Sequence, residues 1–189
     1  MKTSITPTIE RRLGFSFAID TNQINARHRL PNMTQLEKWR RDGVILLVIS
    51  EPAFDEIAKG NDQKRRSKAS DYLRAKHRIR SQEDLNELRT IERILFPRGA
   101  NTQSEKTDAE IVLNAKKNFD YLITRDGNSK SQPRGILGSR ADLRKLGVTV
   151  MTDKEAVDFI RKHIELRDNN ARLDFAILQL PPPDWIGKD

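Results

Sequence analysis

The sequence predicts an α/β fold, a three-layer α/β/α sandwich around a central parallel sheet. Three observations carry that expectation. Short apolar runs alternate with amphipathic stretches along the chain, and turn or capping residues separate them. The run at 44–49 (VILLVI) contains no polar residue, as a strand buried on both faces requires.

The elements follow in order. Residues 15–19 form a β-rich run that ends at Asp20-Thr21-Asn22. A helix is expected over 33–41, after Pro31-Asn32 and before Asp42-Gly43. The strand at 44–49 leads into Ser50, which can cap the next helix, with Pro52 tolerated in its first turn. That helix runs to about Lys59 and breaks at Gly60-Asn61. The basic segment 64–80 reads as another helix with an apolar stripe of Ala69, Tyr72, Leu73 and Ile79. Residues 84–96 read as helical too, stopped by Pro97 and Gly99, although 93–96 also suits a strand. Thr107-Asp108-Ala109-Glu110 has the capping-box form, which predicts a helix from there to about Lys117. Strands are expected at 121–124 and 148–151, separated by a Gly-, Ser- and Pro-rich loop at 127–138 and a helix at 140–146. A closing helix over 153–165 precedes a tail or clasp containing Pro181-Pro182-Pro183. The organisation is thus an extension at 1–14, one α/β domain at 15–165 with a basic helical insert at 61–98, and a proline-containing tail at 166–189.

With 189 residues, the chain suffices for one domain with a substantial core. The longest apolar run is far short of a bilayer span, and residues 1–10 lack the apolar stretch of a secretory signal. No membrane partner is expected, and the expected location is the cytoplasm. Cysteine is absent, which excludes thiol catalysis, disulfides and thiolate metal sites. His28, His77 and His163 are scattered and read as surface or packing residues. The net charge is +8, and its distribution is uneven: between Lys64 and Arg80, eight basic residues face one acid, Asp71. Such a stripe suits a polyphosphate partner; a solvated helix face is the structural alternative.

In a parallel sheet the strand C-termini and the helix N-termini share one edge, where such folds bind ligands. Asp20 follows the first strand directly, and Asp126 follows the strand at 121–124 closely. Asp108 opens the preceding helix, and Glu51, Asp55 and Glu56 sit on the helix after the second strand. Four segments therefore bring carboxylates to one edge. Clustered carboxylates raise each other's pKa unless a cation neutralises them, and an oxygen-only set favours Mg²⁺ or Mn²⁺. A hard ion there can activate water against a phosphodiester. Each acid also has a structural reading, as a cap, a turn residue or a partner of the helix dipole.

These residues, in this order, resemble the PIN-domain nucleases. Phe17-Ala18-Ile19-Asp20-Thr21-Asn22 looks like the family's opening strand. The stretch from Ile49-Ser50 to Glu56-Ile57 is similar to its strand–helix segment, Thr107-Asp108-Ala109 to its helix start, and Leu122-Ile123-Thr124-Arg125-Asp126 to its Thr-Arg-Asp signature. The resemblance spans about residues 15–160. It implies a PIN-like α/β/α fold, endoribonuclease activity, an acidic quartet of Asp20, Glu56, Asp108 and Asp126 holding Mg²⁺ or Mn²⁺, and RNA as partner. Glu51 remains the rival to Glu56. Substrate contacts are expected from Asn22, Thr124 and Arg125 beside the acids, from Lys130 (with Ser129 and Arg134) in the long loop, and from Arg65 and Arg66. Many members are toxins, which implies an antitoxin partner and leaves a homodimer open; the insert and the long loop depart from the compact toxin form. A non-catalytic RNA- or protein-binding module and a structure-specific DNA nuclease are the alternatives. A haloacid-dehalogenase-type phosphatase needs Asp where Asn22 stands, and no receiver-domain residue set is present.

Overall fold

The computed structural model describes residues 10–76, 81–127 and 134–189. Five parallel strands form one sheet: β1 Ser16–Ile19, β2 Leu46–Ser50, β3 Leu73–Ala75, β4 Tyr121–Ile123 and β5 Val150–Met151, in the order β3-β2-β1-β4-β5. The helices are α1 Pro31–Arg41, α2 Glu51–Lys59, α3 Gln63–Ser70, α4 Gln82–Leu95, α5 Gln103–Asn118, α6 Gly135–Gly138, α7 Arg140–Lys145 and α8 Asp153–Ile177. α1 packs against α8, while α5 packs against both α2 and α4, so the sheet is the middle of three layers. Among the described residues no helix is long and apolar enough to cross a membrane.

The central strands β1, β2 and β4 are the apolar runs of the sequence. Phe17, Ile19, Leu47, Ile49, Leu122 and Ile123 are all fully buried, each stabilising the fold by about 1.5–3 kcal/mol through burial. Phe17 stacks on Tyr121 with ring centroids 5.1 Å apart. His163 has the packing role expected of it, its ring edge-on to Phe15 at 4.9 Å.

The strand order decides where a site can form. From β1 the chain steps outward to β2 and β3, then returns to the other side of β1 for β4 and β5. The order therefore reverses between β1 and β4, and their C-terminal ends open a crevice, the usual ligand position in open α/β sheets.

Several expectations are corrected. The basic segment is not one helix: α3 ends at Ser70, and Leu73–Ala75 is an edge strand, so the insert at 61–98 is not wholly helical. Leu73, expected on an apolar stripe, is 62% exposed. Ile79, the last of that stripe, and His77 lie outside the described residues. The helix carrying Asp108 starts earlier, capped reciprocally by Thr102 and Glu105, which puts Asp108 in its second turn. Residues 93–95 are helical. The loop at 127–138 closes with the short α6, whose Ile136 is fully buried.

Of the tail or clasp expected at 166–189, the structure shows the clasp, folded onto the body. α8 continues to Ile177, and residues beyond it return along the helix. Arg167 donates to Asp168 at 2.9 Å and to Asp189 at 2.7 Å, and its guanidinium lies 4.5 Å from the Trp185 ring centre. Asp189, whose side chain is buried, also accepts from Arg11 at 3.0 Å, and Gly187 N–H donates to Asp168 at 2.7 Å.

Candidate active site at the switch point of the sheet

Asp20 emerges from β1 into the crevice and is 2% exposed. Its Oδ1 accepts from the Thr21 N–H at 2.6 Å; its Oδ2 accepts from Asn22 Nδ2 at 2.7 Å and from the Thr124 hydroxyl at 2.6 Å. That hydroxyl in turn accepts from the Asp126 N–H at 2.9 Å and from Asn22 at 3.2 Å. Asn22 completes the link by accepting from the Arg125 N–H at 3.0 Å. The segments after β1 and β4 are thus stitched together through three short polar side chains.

Asp126 is held from the other side. Its carboxylate accepts from the Ile136 N–H at 2.9 Å and its carbonyl from the Leu137 N–H at 2.8 Å. Gly127, with φ +84°, lies so close to the Arg134 carbonyl that a Cβ would sit 2.0 Å from its oxygen. Only glycine fits both the left-handed backbone and that contact. Asp126 therefore has the turn role that an Asp-Gly pair suggests, while still facing the crevice.

Glu56 and Asp108 complete the arrangement from α2 and α5. Glu56 Oε1 accepts from Ser104 at 3.2 Å, and Oε2 is buried with no hydrogen-bond partner among the described residues. Asp108 has neither a hydrogen bond nor an ion pair among the described residues. Glu51 faces elsewhere, 3.9 Å from Lys76.

The electrostatics reflect this crowding. Burial pushes the Asp20 carboxyl up to about 6 against the pull of its hydrogen bonds, and Asp126 and Glu56 push it the same way. Asp108 is pushed up to about 8, first by burial and then by Asp20, Asp126, Glu56 and Glu105. No lysine or arginine is among the principal influences on either. In their present positions no three acidic or histidine side chains among the described residues converge at metal-ligand spacing. The four acids share a field without sharing a contact. The donor set itself fits a hard divalent cation: it is all oxygen and includes a buried carboxylate oxygen without a hydrogen-bond partner among the described residues.

The other expected contacts divide. Arg125 does not reach freely into the crevice; it forms a two-pronged pair with Asp153 at the start of α8, at 2.9 and 2.5 Å. Arg65 stands at the site, donating to the Thr21 carbonyl at 2.6 Å and lining a pocket of about 270 Å³ with Glu56. Arg66 is exposed and makes no side-chain hydrogen bond or ion pair among the described residues. Lys130 and Ser129, with Arg78 and Arg80 of the cationic stripe, lie outside the described residues. The rest of that stripe is dispersed: Lys68 pairs with the buried Glu37 at 2.9 Å, and the Arg74 guanidinium lies 3.3 Å from the Phe54 ring centre. The Arg125–Asp153 pair and the Ser104–Glu56 bond were not legible in the sequence, because neither has a local spacing signal.

Comparison of the sequence with family models finds no match, and no similar curated protein is found.

Proposed function

We propose that this protein is a metal-dependent endoribonuclease of the PIN type, cutting single-stranded or loop RNA at the crevice between β1 and β4. The observation that carries the reading is that Asp20, Glu56, Asp108 and Asp126 stand within one another's field at the switch point, where no lysine or arginine among the described residues pairs with Asp20 or Asp108. A site without use for a cation gains nothing from leaving Asp108 unpaired among other acids. The sequence resemblance assigns the same four residues.

Asp20, Glu56, Asp108 and Asp126 would hold Mg²⁺ or Mn²⁺, with a modest inward movement of side chains. Such an ion supplies Lewis acidity toward a phosphodiester and an activated water. The chain's own residues do the rest. Thr124 and Asn22 fix the Asp20 carboxylate in one orientation, so little ordering is needed when substrate arrives. Arg65, at the edge of the acids, is placed to hold a phosphate of the RNA, with the exposed Lys64 and Arg66 beyond it. The Arg125–Asp153 pair fixes the segment between Thr124 and Asp126; Arg125 is here a positioning residue.

One observation favours a second reading. Asp20 and Asp126 are already satisfied by hydrogen bonds, as in a structural junction of a non-catalytic RNA- or protein-binding module. Incubating the purified protein with labelled structured and unstructured RNAs, in Mg²⁺, Mn²⁺ or chelator, separates the two. Cleavage only with metal supports the nuclease; metal-independent binding without cleavage supports the module. A toxin role with an antitoxin partner, or a homodimer, is a narrower proposal, tested by co-purification from native cells and by solution mass.

A further inference from the structure

We propose that the groove beside Asp108 and Asp126, walled by Phe96 and rimmed by Arg98 and Arg134, receives one nucleotide of a single-stranded RNA, its base on the ring and its flanking phosphates on the two guanidinium groups. This rests on the nuclease reading and adds a subsite to it. The groove holds about 460 Å³ and is lined by Leu95, Phe96, Arg98, Asn101, Glu105 and Arg134 among others, within the range of small-ligand sites. Phe96 is half-buried, packed partly on the core. Arg98 and Arg134 are exposed, and neither has an ion-pair partner among the described residues.

The acid in the groove, Glu105, accepts from the N–H groups of Asn101 at 2.7 Å and Thr102 at 2.8 Å, which hold its carboxylate at the start of α5, and the two arginines outnumber it there. The Asn101 amide nitrogen donates to the Gly99 carbonyl at 3.2 Å, leaving its oxygen for a donor on a base edge.

A helix spacing and a backbone contact place the groove beside the acids. Glu105 is three residues before Asp108 on α5, and the Arg134 carbonyl closes on Gly127 beside Asp126. Glu56 shares a separate pocket with Arg65. A strand that runs over the acids and this groove meets arginines and an aromatic ring. Stacking on that ring needs an unpaired base, which selects single strands over duplex.

The test is fluorescence anisotropy of an end-labelled eight-nucleotide single-stranded RNA with full-length protein in chelator, with cleavage in Mn²⁺ measured in parallel. The Arg98→Gln/Arg134→Gln double variant should bind about tenfold more weakly and flatten the salt slope by about 1.4, the release expected for two phosphates. Phe96→Leu, which keeps apolar packing, should weaken intact RNA about tenfold but leave an RNA with an abasic residue at the stacked position unchanged. If Phe96→Leu melts below the assay temperature, the arginine pair decides. Lys162→Gln, an exposed position midway along α8, should bind as wild type. A cleaving enzyme whose groove variants bind and cut as wild type overturns the groove and leaves the nuclease reading intact. Groove-dependent binding without cleavage in Mn²⁺ supports the groove and overturns the nuclease. Equal affinity for duplex and single strand overturns the stacking.

Discussion

Asp20 and Asp108 respond differently to the same substitution, because one is hydrogen-bonded and the other is not. On sequence grounds alone, neutralising Asp20 should relieve repulsion and firm the apo fold. Its accepted hydrogen bonds reverse that: Asp20→Asn turns an amide toward the Asn22 or Thr21 donors and should lower stability with chelator present. Asp108→Asn loses no such bond and should raise apo stability by ~1 kcal/mol, the scale of one pKa unit. With Mn²⁺ the ordering changes, since wild type gains binding free energy and Asp108→Asn gains little. Melting curves in both conditions read this out; an Asp108→Asn protein destabilised equally in chelator and Mn²⁺ contradicts the metal role. The pH dependence follows from the raised values. A carboxyl whose folded pKa lies above its unfolded one contributes stability that is complete below about pH 4 and lost as pH rises through the folded value. Asp20, near 6, and Asp108, near 8, therefore make the apo protein lose stability between about pH 4 and 8. In Asp108→Asn the upper part of that loss should vanish, as urea titrations at pH 5.5 and 8 would show.

At the scale of elements, the readable parts were those whose signal is local. The strands β1, β2 and β4 are short apolar runs, and Ser50 caps α2 by accepting from the Ala53 N–H as its position suggests. β3 escaped because an edge strand of three residues, Leu-Arg-Ala, buries too little to impose a pattern. The start of α5 was displaced because Thr102–Glu105 and Thr107–Glu110 both have the capping-box spacing, and only the first is used. The clasp rests on Arg11, Arg167 and Asp189, a pairing across the length of the chain that no window captures. Arg167→Ala leaves Asp168 and the buried Asp189 side chain short of a partner and should cost about 3 kcal/mol, measured by urea denaturation; a loss below ~0.5 kcal/mol would show the clasp to be ornamental. The dispersal of the cationic segment makes a further prediction. Lys64→Gln/Arg66→Gln should flatten the salt dependence of RNA binding, whereas Lys68→Gln should mainly lower stability, because Lys68 neutralises the buried Glu37. Equal salt slopes in the two variants would contradict that division.

For the whole molecule, the parallel topology was legible because strand–helix alternation leaves few other arrangements. The reversal of strand order beside β1 was not, since strand order depends on pairing rather than on any one segment. Yet that reversal is what brings Asp20 and Asp126, which are 106 positions apart in the sequence, to one crevice. Asp108 and Glu56 arrive because α5 and α2 pack on the same face of the sheet. The most direct test of this account is a cleavage time course on a labelled, partly unstructured RNA, with wild type and Asp108→Asn purified identically. Wild type should cut in Mn²⁺ or Mg²⁺ and not in chelator, and Asp108→Asn should lose at least about a hundredfold in rate, the scale of removing ~3 kcal/mol of transition-state stabilisation. Cleavage of equal rate in chelator, or an Asp108→Asn protein as active as wild type, would contradict it.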